Sequence, residues 1–206
     1  MLRIVCVSDT HGNHGRTILP PGDILLHTGD LTRHGKLDEV EEFNGWLGTL
    51  DPLYQHKIVI AGNHDFCFHE SPSEARTRLT NAIYLEDEGV EIAGIRIYGS
   101  PWQPWFGGWA FNLQRGSELA AIWARIPSDT DILLTHGPPE GILDRNRHGD
   151  CCGCRDLLHR VMEIRPRLHV FGHIHEAAGQ IEIDQIRFLN ASTQLGHGKG
   201  VVVEWE

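Results

Sequence analysis

Five short clusters of potential metal donors punctuate this chain. Asp9 and His11 stand two residues apart, and Asp30 closes a Thr-Gly-Asp step. Asn63, His64 and Asp65 are consecutive, His136 precedes Gly-Pro-Pro, and His173 and His175 again stand two apart. Residues two apart face the same way on an extended backbone, so each spaced pair can aim both side chains at one point. Two carboxylates, several imidazoles and an amide oxygen, with no thiolate, suit Mn, Fe or Zn better than a thiolate-loving metal. The donors outnumber the three or four that one tetrahedral zinc takes. Two divalent ions fit better, because metals about 3.5–4 Å apart can share a carboxylate and generate a bridging hydroxide. A lone Asp or His at such a place is more often a cap or a satisfied loop residue. Five similar clusters in one chain argue that they act together.

Each cluster follows a short apolar run: Leu2 to Val7, Ile24 to Leu26, Ile58 to Ala61, Ile132 to Leu134 and Leu168 to Phe171. These runs read as buried strands, mostly parallel. In open α/β sheets ligands bind beyond the carboxyl ends of the strands, which is where the clusters fall. Helical periodicity predicts helices over 37–50, 73–82, 117–126 and 154–164, with Pro72 in a first turn and Pro127 and Pro166 past helix ends. Alternation in VEIAGIRIYGS and QIEIDQIRFLNAS predicts two antiparallel hairpins, the second turning near Asp184 and Gln185, and VVVEWE reads as a last strand. The expected fold is an α/β sandwich of two mixed β-sheets flanked by helices. No linker, repeat or low-complexity tract divides the 206 residues, so one domain over 1–206 is expected.

The formal net charge of −10 comes with no basic stripe, which argues against long nucleic acid and an anionic membrane surface as partners. It leaves room for a small anion held by metal. The start, MLRIVCVSDTHG, does not read as a signal peptide, and five cysteines do not suggest a disulfide framework. A cytoplasmic location is the default expectation.

The motifs D-x-H at Asp9, GD at Asp30, GNHD at Gly62, THGPP at Thr135 and GHIH at Gly172 resemble, in order and spacing, the calcineurin-like metallophosphoesterase superfamily. HKIVIAGNH, IYGSPWQPWF, ILLTHGPP and PRLHVFGHIHE further resemble its brain-type, metallophosphoesterase-domain-containing branch. The resemblance implies a metallophosphoesterase sandwich whose first metal is held by Asp9, His11, Asp30 and His175. It implies a second metal on Asp30, Asn63, His136 and His173, with Asp30 bridging. His64 is implied as a catalytic, substrate-facing residue that binds no metal, with Asn63 also close to substrate.

The reaction implied is dimetal hydrolysis of a small phosphodiester or nucleotide, cyclic nucleotides being favoured, with Mn the first choice of metal and Fe or Zn the others. Protein phosphatases of the superfamily carry arginine before and glutamate after GNH, whereas this chain has Ala61 and Asp65, and Arg33 comes one position early. A phosphomonoesterase is thus the weaker alternative, as is a metal- or nucleotide-binding regulatory module with little turnover. In the aromatic segment 101–109, Trp102 and Trp105 are expected to line a wall for a base, with Phe106 and Trp109 beside them. The rival reading packs them in the core or in a homodimer contact. Cys151, Cys152 and Cys154 form only a lone CxxC, expected to open a helix. The remaining histidines read as surface or capping residues, with His14, His148 and His197 nearest the pocket.

Overall fold

The computed structural model describes residues 1–206. The chain runs β1 (Leu2–Val7), β2 (Ile24–Thr28), α1 (Leu37–Thr49), β3 (His56–Ile60), α2 (Phe66–Glu70), α3 (Pro72–Arg78) and β4 (Ile83–Tyr84). It continues through β5 (Glu88–Ile92), β6 (Ile95–Ser100), β7 (Gln103–Pro104), β8 (Asn112–Leu113) and α4 (Ser117–Trp123). The last third adds β9 (Ile132–Thr135), α5 (Arg155–Ile164), β10 (Leu168–Phe171), β11 (Gly179–Ile183), β12 (Ile186–Asn190) and β13 (Val201–Trp205).

Two mixed sheets result, ordered β13-β1-β2-β3-β4 and β11-β12-β10-β9-β6-β5. Strands β1 to β4 are parallel, as are β12, β10, β9 and β6. The edge strands β13, β11 and β5 are antiparallel to their neighbours. Strand alternation sorts the apolar side chains. Ile4, Cys6, Ile58 and Ile60 meet Ile97, Ile132, Leu134 and Val170 between the sheets. Val5, Val7, Leu25 and Val59 point outward and pack on Val40, Phe43 and Leu47 of α1. On the other side Leu133, Phe171 and Phe188 pack on Leu119 and Trp123 of α4 and Leu157 and Val161 of α5. Each fully buried Leu, Ile or Phe contributes roughly 1.5–3 kcal/mol. Both sheets are therefore covered on two faces, which is why their strands are continuous apolar runs. No helix is long and apolar enough to cross a membrane.

The expected elements form, with three differences. Helix α3 ends at Arg78, because Asn44 Oδ1 accepts the backbone N–H groups of Thr80 (2.9 Å) and Asn81 (2.8 Å) and draws the chain onto α1. Helix α4 ends at Trp123, beyond which Arg125 and Ile126 bond three residues back in a tighter turn. Helix α2, only five residues long, shows no readable period. The second hairpin turns at Asp184 and Gln185, both with positive φ, the backbone of a type I′ turn.

Three histidines expected on the surface are buried instead: His14, His27 and His169. His14 lies against Phe43 and Trp46, away from the pocket. His169 sits beside Phe171 and Phe188. Thr135 donates its hydroxyl hydrogen to Gly137 O (2.8 Å), so its oxygen accepts from His169 Nε2–H (2.8 Å). That fixes the tautomer and leaves Nδ1 without a partner. Burial pushes His169 down to about 3, so the fold holds it neutral. Above pH 6.5 neither state binds this proton, and between pH 6.5 and 3 only the unfolded chain does. Stability should therefore fall by about 1.4 kcal/mol per pH unit over that window from this residue alone. Urea melts in EDTA between pH 7 and 4.5 should show a shallower acid slope in His169→Phe; equal slopes would refute the assignment.

Candidate metal centre

Strands β1, β2 and β3 lie side by side in one sheet, and β9 and β10 in the other. The loops after their carboxyl ends converge. Asp9 N–H bonds to Gly29 O at 3.0 Å and His11 N–H to Asp30 O at 2.9 Å, lacing the first loop to the second. Asp65 clamps the second loop to the third. Its Oδ2 accepts Gly62 N–H (2.7 Å) and Leu31 N–H (3.1 Å), and its Oδ1 accepts the backbone N–H (2.9 Å) and hydroxyl (2.7 Å) of Thr32. Asp9 ties the two sheets together, both carboxylate oxygens accepting His173 N–H at 3.1 Å.

Close approach explains two glycines. A Cβ on Gly62 would fall 2.3 Å from Asp30 Oδ1, and one on Gly172 would fall 2.2 Å from Asp9 Oδ2. Asp9, His11, Asp30 and His173 all adopt positive φ, which costs roughly 1–3 kcal/mol per residue and persists only where surroundings enforce it.

The side chains meet in a row. Asp9 Oδ1 is 3.3 Å from His175 Nε2, which is 3.4 Å from His11 Nε2. His11 Nε2 is 3.4 Å from Asp30 Oδ2, while Asp30 Oδ1 is 3.4 Å from His136 Nε2. His136 Nε2 is in turn 3.0 Å from Asn63 Oδ1. His136 donates its Nδ1–H to Thr28 O (2.8 Å), which fixes the ring with Nε2 turned toward the oxygens of Asp30 and Asn63. Burial opposes ionisation of the carboxylates, yet His175 and His136 hold Asp9 at about 2. His136 and His11 likewise hold Asp30 well below the usual carboxylate range. Burial also opposes charge on His136, but Asp30 beside it holds the imidazole up at about 9. Burial pushes His173 down to about 3.

A family model described as calcineurin-like phosphoesterase matches residues 2–177. The chain belongs to the calcineurin-like phosphoesterase family. Human metallophosphoesterase domain-containing protein 1 is 46% identical over 215 aligned residues, covering 92% of this chain and 65% of its own length. UPF0046 protein K07C11.7 of Caenorhabditis elegans is 39% identical, covering 93% of this chain and 69% of its own. The chain thus spans just under two thirds of the human relative. A solved structure aligned over the whole of both chains, with a TM-score of 0.67 at 14% identity, shows the same fold.

Membership of the calcineurin-like phosphoesterase family implies divalent metal ions and supports a metal-dependent phosphoesterase. The donor set fits. Three groups bring their ligand atoms within 4.8 Å of one another: Asp9, His11 and His175; His11, Asp30 and His64; and Asp9, Asp30 and His136. Carboxylate oxygens and imidazole nitrogens gathered this closely in a buried place suit a cation among them.

Of the residues expected at the site, Asp9, His11, Asp30, Asn63, His64, His136 and His175 are brought together. His173 stands beside His136, ring centroids 5.0 Å apart, outside the three tight groups. His64, expected to bind no metal, falls inside one of them. Its Nδ1–H donates to Arg33 O (2.9 Å), and that carbonyl belongs to a loop whose N–H groups at 33, 34 and 36 bond to Glu39.

The expectation for Trp102 is corrected. Its indole N–H bonds to Asp87 (3.0 Å) and its ring packs on Phe111, so it supports the core and does not line the cavity. Trp105 does line the cavity beside the site, 55% exposed. Phe106 lies against His173 and Trp109 against His64, ring centroids 5.1 and 4.5 Å apart. His148 borders the cavity, as expected, whereas His197 is exposed outside it. Cys154 opens α5 as expected, its Sγ accepting Leu157 N–H.

Sequence reasoning passed over the clamp at Asp65, although its place in GNHD was visible. In Asp65→Asn an NH2 group would face backbone donors, at a cost of about 1–3 kcal/mol. Mn2+ titration should show affinity reduced about 10–100-fold, since the loops that aim the ligands loosen. Unchanged affinity beside a lowered melting temperature would mean that the clamp serves stability alone.

Proposed function

We propose that this chain hydrolyses small phosphodiesters, cyclic nucleotides among them, with two divalent metal ions, Mn2+ the first choice and Fe or Zn the others. The observation that carries the reading is the split of Asp30. One carboxylate oxygen faces His11, whose Nε2 adjoins that of His175, and the other faces His136, whose Nε2 adjoins Asn63 Oδ1. A carboxylate with two separate donor sets on its two oxygens is suited to bridging two ions. Asp9, His11, Asp30 and His175 would hold the first, and Asp30, Asn63, His136 and His173 the second. When bound, such a pair supplies Lewis acidity toward phosphate oxygens and activates a water for attack on phosphorus.

The chain's own residues set the rest. Only two carboxylates, Asp9 and Asp30, stand against two divalent charges, and Asn63 contributes a neutral oxygen. The loaded site therefore keeps positive charge and attracts an anion. His64 is held on both sides, its Nδ1–H on Arg33 O and its ring between His11 and Trp109. That leaves Nε2 uncommitted, and in the imidazolium form its N–H can bind a phosphate oxygen or protonate the leaving group. Trp105 and Phe106 offer an aromatic flank on which a substrate ring can rest.

Hydrolysis of bis(p-nitrophenyl) phosphate should require added Mn2+ and be abolished in Asp30→Ala, with two metals per chain in the parent protein. Equal activity in metal-stripped protein would refute the proposal. His64→Ala should retain both metals and lose about 100-fold or more in kcat. Loss of metal in that variant would assign His64 to the ligand set.

A further inference from the structure

A cavity of about 590 Å3 opens directly beside His173 and His175, within the size range of small-molecule sites. One stretch of its lining is apolar, with Trp105 and Phe106. Another is the loop over residues 146–152, and Arg115 reaches in from ahead of α4. This loop is built to hold its shape. Asn146 Oδ1 accepts the N–H groups of His148 (2.9 Å) and Asp150 (3.0 Å), and buried Asp144 accepts those of Gly141 (2.9 Å) and Gly153 (3.1 Å).

The charges on this segment are sorted. The acids are spent on structure: Asp144 as above, Asp150 on the Asn146 side chain, and Asp156 on Gly116 N–H. The arginines are not. Arg3, Arg76, Arg96 and Arg125 each pair with a carboxylate. Arg115 instead donates to Gly153 O (2.7 Å) and Cys152 O (3.2 Å), and Arg147 to His148 Nε2 (3.2 Å). These bonds hold each guanidinium and leave three and four of its five N–H groups uncommitted. In a chain of net charge −10, two oriented guanidinium groups without a carboxylate share one cavity with the candidate centre. Exposed Glu176 lines it too, on the His175 side.

We propose that Arg115 and Arg147 form a second anion subsite, so that the preferred substrate is a phosphodiester carrying a further phosphate on its non-reacting half. This rests on the diesterase reading above. Planar forks with several free N–H groups match the oxygens of a phosphate dianion, whereas a cyclic mononucleotide has one anion and leaves them unused. The reacting diester lies toward the histidines, an aromatic ring rests by Trp105, and the second phosphate reaches the arginines.

The test is calorimetric titration of the Mn2+-loaded protein with thymidine 3′,5′-bisphosphate and with thymidine 5′-monophosphate. The bisphosphate should bind about tenfold tighter or better, and the ratio should fall below about twofold in Arg147→Gln. Arg147 holds only His148, so its loss separates charge from loop integrity; Arg147→Lys should keep part of the preference. A ratio near one in the parent protein, or one retained in the Arg115→Gln, Arg147→Gln double variant, would overturn the subsite. Turnover of bis(p-nitrophenyl) phosphate reports the diesterase reading separately. Turnover with a ratio near one removes the subsite alone, and a preserved, arginine-dependent ratio without turnover removes the diesterase reading alone.

Discussion

The buried carboxylate of Asp30 is the constraint on which the rest of the structure depends. An ionised carboxylate out of water must be met on every side, and here it is met from three other loops. His64 N–H bonds to Oδ1 at 2.8 Å, His136 and His11 stand 3.4 Å from its two oxygens, and Gly62 leaves the space that a side chain would fill. The strand order serves this convergence, since β2 lies between β1 and β3 and its last residue, Thr28, accepts the hydrogen bond of His136 from the loop after β9. The aliphatic layer between the sheets sets how far apart the two halves of the site can stand.

Convergence alone would leave mobile loops, and a second tier of carboxylates restrains them. Asp65 takes four donors from two loops, Glu39 collects the N–H groups of the loop whose carbonyl orients His64, and Asp144 gathers the loop that presents Arg147. Each is a clamp whose carboxylate is committed to backbone N–H groups. The four positive-φ residues Asp9, His11, Asp30 and His173 are held in place by these clamps and by the backbone ladder between the loops.

Much of this was legible in the sequence, for a physical reason. A strand buried on both faces is an unbroken apolar run, and it must stop where polar chemistry begins, so the donor clusters were marked by the runs before them. What escaped notice depends on distant partners. Trp102 looked like part of an aromatic wall until Asp87, fifteen positions away, was seen to hold its indole N–H. His169 was read as a surface residue although it falls inside a run read as a buried strand, because the Thr135 hydroxyl that takes its N–H lies thirty-four positions away. The cationic lining escaped because Arg115 and Arg147 lie thirty-two positions apart and line one cavity only in the folded chain, where the carbonyls of residues 152 and 153 hold Arg115.

The bond from His173 N–H to Asp9 has a further consequence in the order of events during synthesis. Its partners are separated by 164 positions, as are His11 and His175. A ribosome makes the residues up to Asn63 long before either late histidine, so the nascent chain carries Asp9, Asp30 and Asn63 as an open half-cup. Closing so long a loop is a late step in folding, and the cup gains its far wall only then. Cation capture is thereby coupled to completion of the second sheet, and partly made chains hold Asp9, His11, Asp30 and Asn63 without His136, His173 and His175.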